Sequence, residues 1–256
     1  MKGWIEKGER LNELLRTQTF PLAIKLIKSE TEIPEKATRP LRDLKVKVAL
    51  CQGITMSRRY GWTVGMTAED LGCSIALAAY GWKKPNDEMA MAKFLLKMGY
   101  AASIEAGVNI AKEVNRFEEG EYVGIVFSPL AWTKIVPDLI MMYGNPAQIM
   151  RLIHASTHHQ GNNVTCSFSG RAASCTEGII QTVLTGEPKA VIPGNGDRVW
   201  AMTQDDEMAF TIPAAKLGSI IEALEVTHER GIRYPIPICQ RFQPEVKLGI
   251  PLDEIF

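Results

Sequence analysis

Apolar positions along this chain alternate between a spacing of three or four and a spacing of two, and each switch marks a change from helix to strand. Leu11, Leu14 and Leu15 predict a short helix over residues 8–17, and FPLAIKLI (Phe20–Ile27) alternates as a strand with Lys25 as its odd polar member. Lys28–Arg42 is polar, carries Pro34 and Pro40, and predicts a surface loop. Val46–Tyr60 reads as a helix holding Cys51 and Gln52 and ending in Arg58–Arg59. A short strand is expected at Trp62–Met66 and a turn at Thr67–Gly72, leading to Cys73 and the small-residue run SIALAAYG. Two helices separated by a stop at Gly99 fill Asn86–Asn115. Strands follow at Tyr122–Leu130 and Asp138–Tyr143, the second with the unbroken apolar character of a buried strand. It runs into GNPAQIMRLIHAST, where Asn145 suits a helix cap and Pro146 the first turn.

Val164–Phe168 alternates as a further strand. Ser174 with Glu177 three residues on is a capping-box signature, which puts Cys175 in the first turn of CTEGIIQTVL. Ala190–Ile192 reads as a short strand closed by the glycine-rich turn PGNGDR (Pro193–Arg198). Glu207–Pro213 is a strand, Ala214–Glu229 a helix, and the proline-containing tail from about residue 234 an extended arm. No strict βαβ rhythm and no internal repeat emerge. The expected fold class is therefore α+β: a single domain over residues 1–256, built on a mixed, mainly antiparallel sheet flanked by helices.

Composition narrows the function. The 256 residues are 46% hydrophobic and 23% charged, with 29 basic against 29 acidic side chains, so no bulk attraction to nucleic acid or an anionic membrane is expected. Every apolar run is broken by a charge, glycine or proline, and the start, MKGWIEKGERLNELL, lacks the apolar segment of a signal peptide. A cytoplasmic protein is expected, its oligomeric state open. Five cysteines cannot all pair internally, and in a reducing compartment they serve as buried hydrophobes, metal ligands or nucleophiles. No CxxC pair occurs, so any metal site must be assembled from distant segments.

Cys175 is the leading single candidate, because a thiol at a helix start feels the positive end of the dipole and Arg171 is near in sequence. Cys51 and Cys73 sit in apolar or small-residue segments where, on spacing alone, plain core packing is the favoured reading; core packing is also the default for Cys166, and Cys239 has no assigned role. In PGNGDR, Gly194 and Gly196 would let backbone approach a ligand, Arg198 would grip an anion, and Asp197 would pair with the neighbours of Arg198 or cap the turn; a plain hairpin is the alternative. Asn145 and Gln148, at a strand-to-helix junction, are candidates for holding an anionic cofactor. His154 and His158 share a helix face without an HExxH motif, which favours a solvated or capping role.

The blocks CQGITMSRRYG, LGC, PDLIMMYGNPAQIMRL, SGRAASC and PGNGDRVWAMTQDDEMAFTIP resemble the uncharacterised family known as "domain of unknown function 169", across roughly Pro21–Tyr234. The resemblance implies a cytoplasmic protein of an archaeon or anaerobic bacterium, with cysteines in the family pattern at Cys51, Cys73 and Cys175. Three soft thiolates suit an iron–sulfur cluster; on a four-iron cluster they leave one iron open to a small anionic metabolite, as in a lyase, or serve a redox enzyme. Arg198 would then hold the anion while Asp197, Glu177 or a histidine moves a proton. A metabolite- or nucleotide-binding module with structural cysteines and a thiol enzyme with Cys175 as nucleophile are the alternatives.

Overall fold

The computed structural model describes residues 2–83 and 88–236. Six strands form one sheet in the order β2-β3-β1-β4-β6-β5: β1 (Leu22–Ile27), β2 (Val64–Thr67), β3 (Gly124–Pro129), β4 (Leu139–Gly144), β5 (Lys189–Val191) and β6 (Met208–Pro213). Every pairing between these strands is antiparallel, so the sheet expected to be mixed is antiparallel throughout. Among the described residues, parallel pairing is confined to the isolated bridges Thr38–Val64 and Val48–Leu71.

Alternation along the central strands gives the sheet two buried faces. Leu139, Met141 and Tyr143 of β4 join one core with Ile24 and Phe127, whereas Ile140 and Met142 join the other with Val126 and Phe210. Three helices cover the second face: α1 (Lys2–Leu15), α7 (Pro146–Thr157) and α10 (Leu217–Glu229), through Leu11, Leu15, Ile149, Leu152, Ile220 and Leu224. The first face is covered by α3 (Leu50–Tyr60), α4 (Ser74–Ala79) and a π-helix, Ala173–Ile180. The π-helix continues into α8 (Gln181–Thr185). Helix α2 (Pro40–Leu44) precedes α3 at the margin of β2, and α5 (Glu88–Lys97) pairs with α6 (Ile104–Glu113). No described helix is long and apolar enough to cross a membrane.

Two expectations fail locally. Val164–Phe168 forms no strand: its neighbour β5 is only three residues long and meets it through side chains, Lys189 Nζ donating to Thr165 O at 2.8 Å and the Ala190 amide to Cys166 Sγ at 3.2 Å. The Pro193–Arg198 segment is not a hairpin turn but the start of a helix, α9 (Asn195–Trp200). Gly194 is its cap residue, with its amide donating to Asp197 Oδ2 at 2.9 Å. Gly194 is required by space, since a Cβ there would lie 2.6 Å from the Gly170 carbonyl oxygen. The tail expected to form an arm from residue 234 lies, with Cys239, almost wholly outside the described residues.

Candidate metal centre

Four helix starts lie near one another on the first face of the sheet. Cys51 is the second residue of α3, Cys73 caps α4, Cys175 is the third residue of the π-helix and Asp197 the third of α9. Helix α3 packs against both the π-helix and α9, which brings segments more than a hundred residues apart onto one site. Cys175 is buried in the core, and Cys73 packs against the same cluster.

The thiols lie within electrostatic reach of one another. Burial pushes the Cys51 thiol up to about 12, with Asp197 and then Cys73 adding to the effect. The backbone amides of Cys51 and Gln52 donate toward the sulfur and pull the other way. Cys175 is raised well above an ordinary thiol, chiefly by burial and then by Asp197, Cys51 and Cys73. This reverses the acidic Cys175 expected from a helix start, because desolvation and neighbouring negative charge outweigh the dipole. Among the described residues, no three His, Cys, Asp or Glu side chains gather as they stand into a group that could hold a metal ion.

Asp197 is also raised, mainly by burial, against the hydrogen bonds of Ser174 and the Gly194 amide and the charge of Arg58. Behind it runs a polar chain that the sequence did not reveal. Tyr143 Oη is 2.9 Å from Ser174 Oγ, and the Tyr143 ring faces the Arg58 guanidinium at 4.0 Å. Arg58 has no accessible surface and donates to both carboxylate oxygens of Glu207, at 2.8 and 3.1 Å. Tyr80 donates to the Cys175 carbonyl at 3.2 Å. One signal was present in the sequence: Arg58 follows Cys51 by seven residues, two turns along one helix face.

The other expected site residues lie elsewhere. Ser174 does not cap its helix, which begins from Ala172 in the left-handed region (φ 49°). Glu177 instead accepts the Ser169 amide on Oε1 at 2.6 Å and leaves Oε2 buried without a partner. Arg198 turns to its own loop, donating to the Gln204 carbonyl and lying 4.0 Å from Asp205. Gly196 has the Trp200 ring 3.4 Å from where a Cβ would stand, an ordinary contact. Asn145 and Gln148 form the expected capping box at the start of α7, on the opposite face of the sheet. The Gln148 amide donates to the Leu15 carbonyl at 2.7 Å, and Asn145 Nδ2 to Tyr234 Oη at 2.9 Å. His154 and His158 are exposed at the end of α7, as expected of a solvated pair. Cys166 packs against the second core.

Fold and site together define an antiparallel α+β protein with three thiols and a carboxylate at converging helix starts. The chain belongs to the family described as uncharacterised ArCR, domain of unknown function 169, whose model matches residues 10–223. It is similar to an uncharacterised protein of Methanocaldococcus jannaschii, 28% identical over 221 residues that cover 86% of this chain and 93% of that protein. No solved structure matches it.

Proposed function

We propose that the protein binds a thiolate-ligated metal centre, first of all an iron–sulfur cluster, through Cys51, Cys73 and Cys175, in the reducing cytoplasm of an archaeon or anaerobe. One observation carries the reading: thiols come together from three remote segments, and Cys51 and Cys175 are pushed up by burial, with Cys73 nearby adding to both. A bound cation reverses that balance, because it makes the thiolate the favoured form at each ligand. The amides of Cys51 and Gln52, already donating toward sulfur, support a negatively charged ligand there.

Bound through three protein ligands, a four-iron cluster would leave one iron open as a Lewis acid, or the cluster as a whole would carry an electron. The chain's own contribution is to bury the site and to place Asp197 near the thiols, its carboxyl raised above the ordinary value mainly by burial. A small anionic metabolite and a lyase or redox step remain the substrate class and reaction this chemistry favours. The nucleophile reading of Cys175 loses ground, since a buried, raised thiol is a poor source of thiolate. Anaerobic purification followed by iron, sulfide and visible-absorbance measurement tests the proposal. Stoichiometric iron and sulfide, lost in Cys51→Ser, Cys73→Ser and Cys175→Ser, are expected; a colourless, iron-free protein after anaerobic reconstitution overturns it.

A further inference from the structure

Beside the thiols, and separate from them, a cavity of about 270 Å³ opens between the α5–α6 pair, α4 and the segment leading into the π-helix. Ile75, Leu95 and Ile110 give it an apolar wall, and its charged lining consists of Glu113, Arg171 and Glu177. Its size is near the lower end of small-molecule sites, roughly 300 Å³. Glu177 is 5% exposed, and while Oε1 accepts the Ser169 amide, Oε2 is buried with no hydrogen-bond partner among the described residues. Leaving a charge-bearing acceptor buried and unpaired is costly, and such an atom in a cavity wall marks where a donor belongs. Two carboxylates against one guanidinium favour a cationic donor, and the apolar wall sets the rest of the molecule.

We infer that this cavity receives a small amine with an apolar body, its ammonium head on Glu177 Oε2 and its hydrocarbon against Ile75, Leu95 and Ile110. Free apolar amino acids belong to this class, with Arg171 on hand for their carboxylate. The inference does not depend on the metal centre. Its test is thermal shift and calorimetric titration of the full chain with leucine, leucine amide, 3-methylbutylamine and 4-methylpentanoate, beside Glu177→Gln, Ile75→Trp and Cys51→Ser. The three amines are expected to raise the melting temperature in a concentration-dependent way, and the amine-free acid is not. Glu177→Gln, which still offers an oxygen to the Ser169 amide, should weaken amine binding by about tenfold or more. Ile75→Trp should abolish it by filling the apolar end, with the unliganded melting temperatures reporting that both variants fold. Cys51→Ser should bind normally while losing iron, which separates this inference from the metal reading. No saturable binding of any amine, equal binding of 4-methylpentanoate, or undiminished binding by Glu177→Gln would each overturn it.

Discussion

Arg58 holds a positive charge where no solvent reaches, met by the Glu207 carboxylate and by the face of Tyr143. Removing one partner of such a pair strands the other, which typically costs about 3–5 kcal/mol. Glu207→Gln should therefore lower unfolding free energy by about that much, read from urea denaturation. A loss below about 1 kcal/mol would mean the guanidinium is satisfied by Thr203 and the Met202 carbonyl alone. The pair also predicts a pH dependence. Burial by itself would raise the Glu207 carboxyl, but the hydrogen bonds from Arg58 and the Gln204 amide hold it below its ordinary value. Its contribution is then fully present above the unfolded glutamate pKa, about 4.3, and disappears as pH falls through the lower folded value. Asp197 acts in the other direction on the thiols, being the first charge after burial among the causes that raise Cys51 and Cys175. In metal-free protein Asp197→Asn should move the pH midpoint of Cys51 alkylation below about 12 while keeping the Gly194 cap through the amide oxygen. An unmoved midpoint would show that desolvation alone sets the thiol.

At the scale of elements, helix propensity and packing make opposite predictions at Gly107 of α6. Alanine is favoured over glycine in a helix interior by about 1 kcal/mol. A Cβ at Gly107, however, would lie 2.8 Å from Ala92 Cα of α5, a backbone atom that cannot turn aside. Forcing the two helices apart costs about 1–3 kcal/mol, so Gly107→Ala should destabilise, seen as a lower urea midpoint; a raised midpoint would mean that α5 yields freely. The same competition between local signal and surroundings decides what the sequence discloses. The α7 start was legible because Asn145, Pro146 and Gln148 act within a single turn. The α9 start was not: Gly–Asn–Gly reads as a turn, and only the Asp197 side chain closing on the Gly194 amide, together with the close approach to Gly170, makes it a helix. Ser174 and Glu177 had the spacing of a capping box, yet Tyr143 engages the serine and Ser169 the glutamate, and the chain enters a π-helix instead. The convergence of Cys51, Cys73 and Cys175 could be suspected from their number and the family pattern, but their proximity depends on how α3, α4 and the π-helix cover one sheet face, where Cys175 is buried and the other two are half-buried. Arg58 and Tyr143 were hidden because a basic pair at a helix end and a tyrosine closing an apolar strand both have ordinary surface or core roles.

Across the whole molecule, the sheet keeps two cores apart: Cys175 lies in one with Cys73 packed against it, and Cys166 packs against the other. A ligand that binds the native state alone stabilises it by an amount that grows with the logarithm of its concentration over its Kd. That gain need not be shared evenly, because segments open locally with their own free energies. On the proposed reading a bound metal would tie the starts of α3, α4 and the π-helix to one another, whereas α1, α7 and α10 close on the far face through Leu11, Ile149 and Leu224. Metal removal should therefore lower amide-exchange protection at residues 49–55, 72–79 and 172–178, with the far-face helices nearly unchanged. Hydrogen exchange measured by mass spectrometry before and after chelation, both anaerobic, reads this directly. A uniform loss over both faces would mean that the cores unfold as one unit and the metal stabilises only globally. Protection unchanged at the cysteine-bearing starts, in protein shown to have lost its iron, would place the metal elsewhere in the chain.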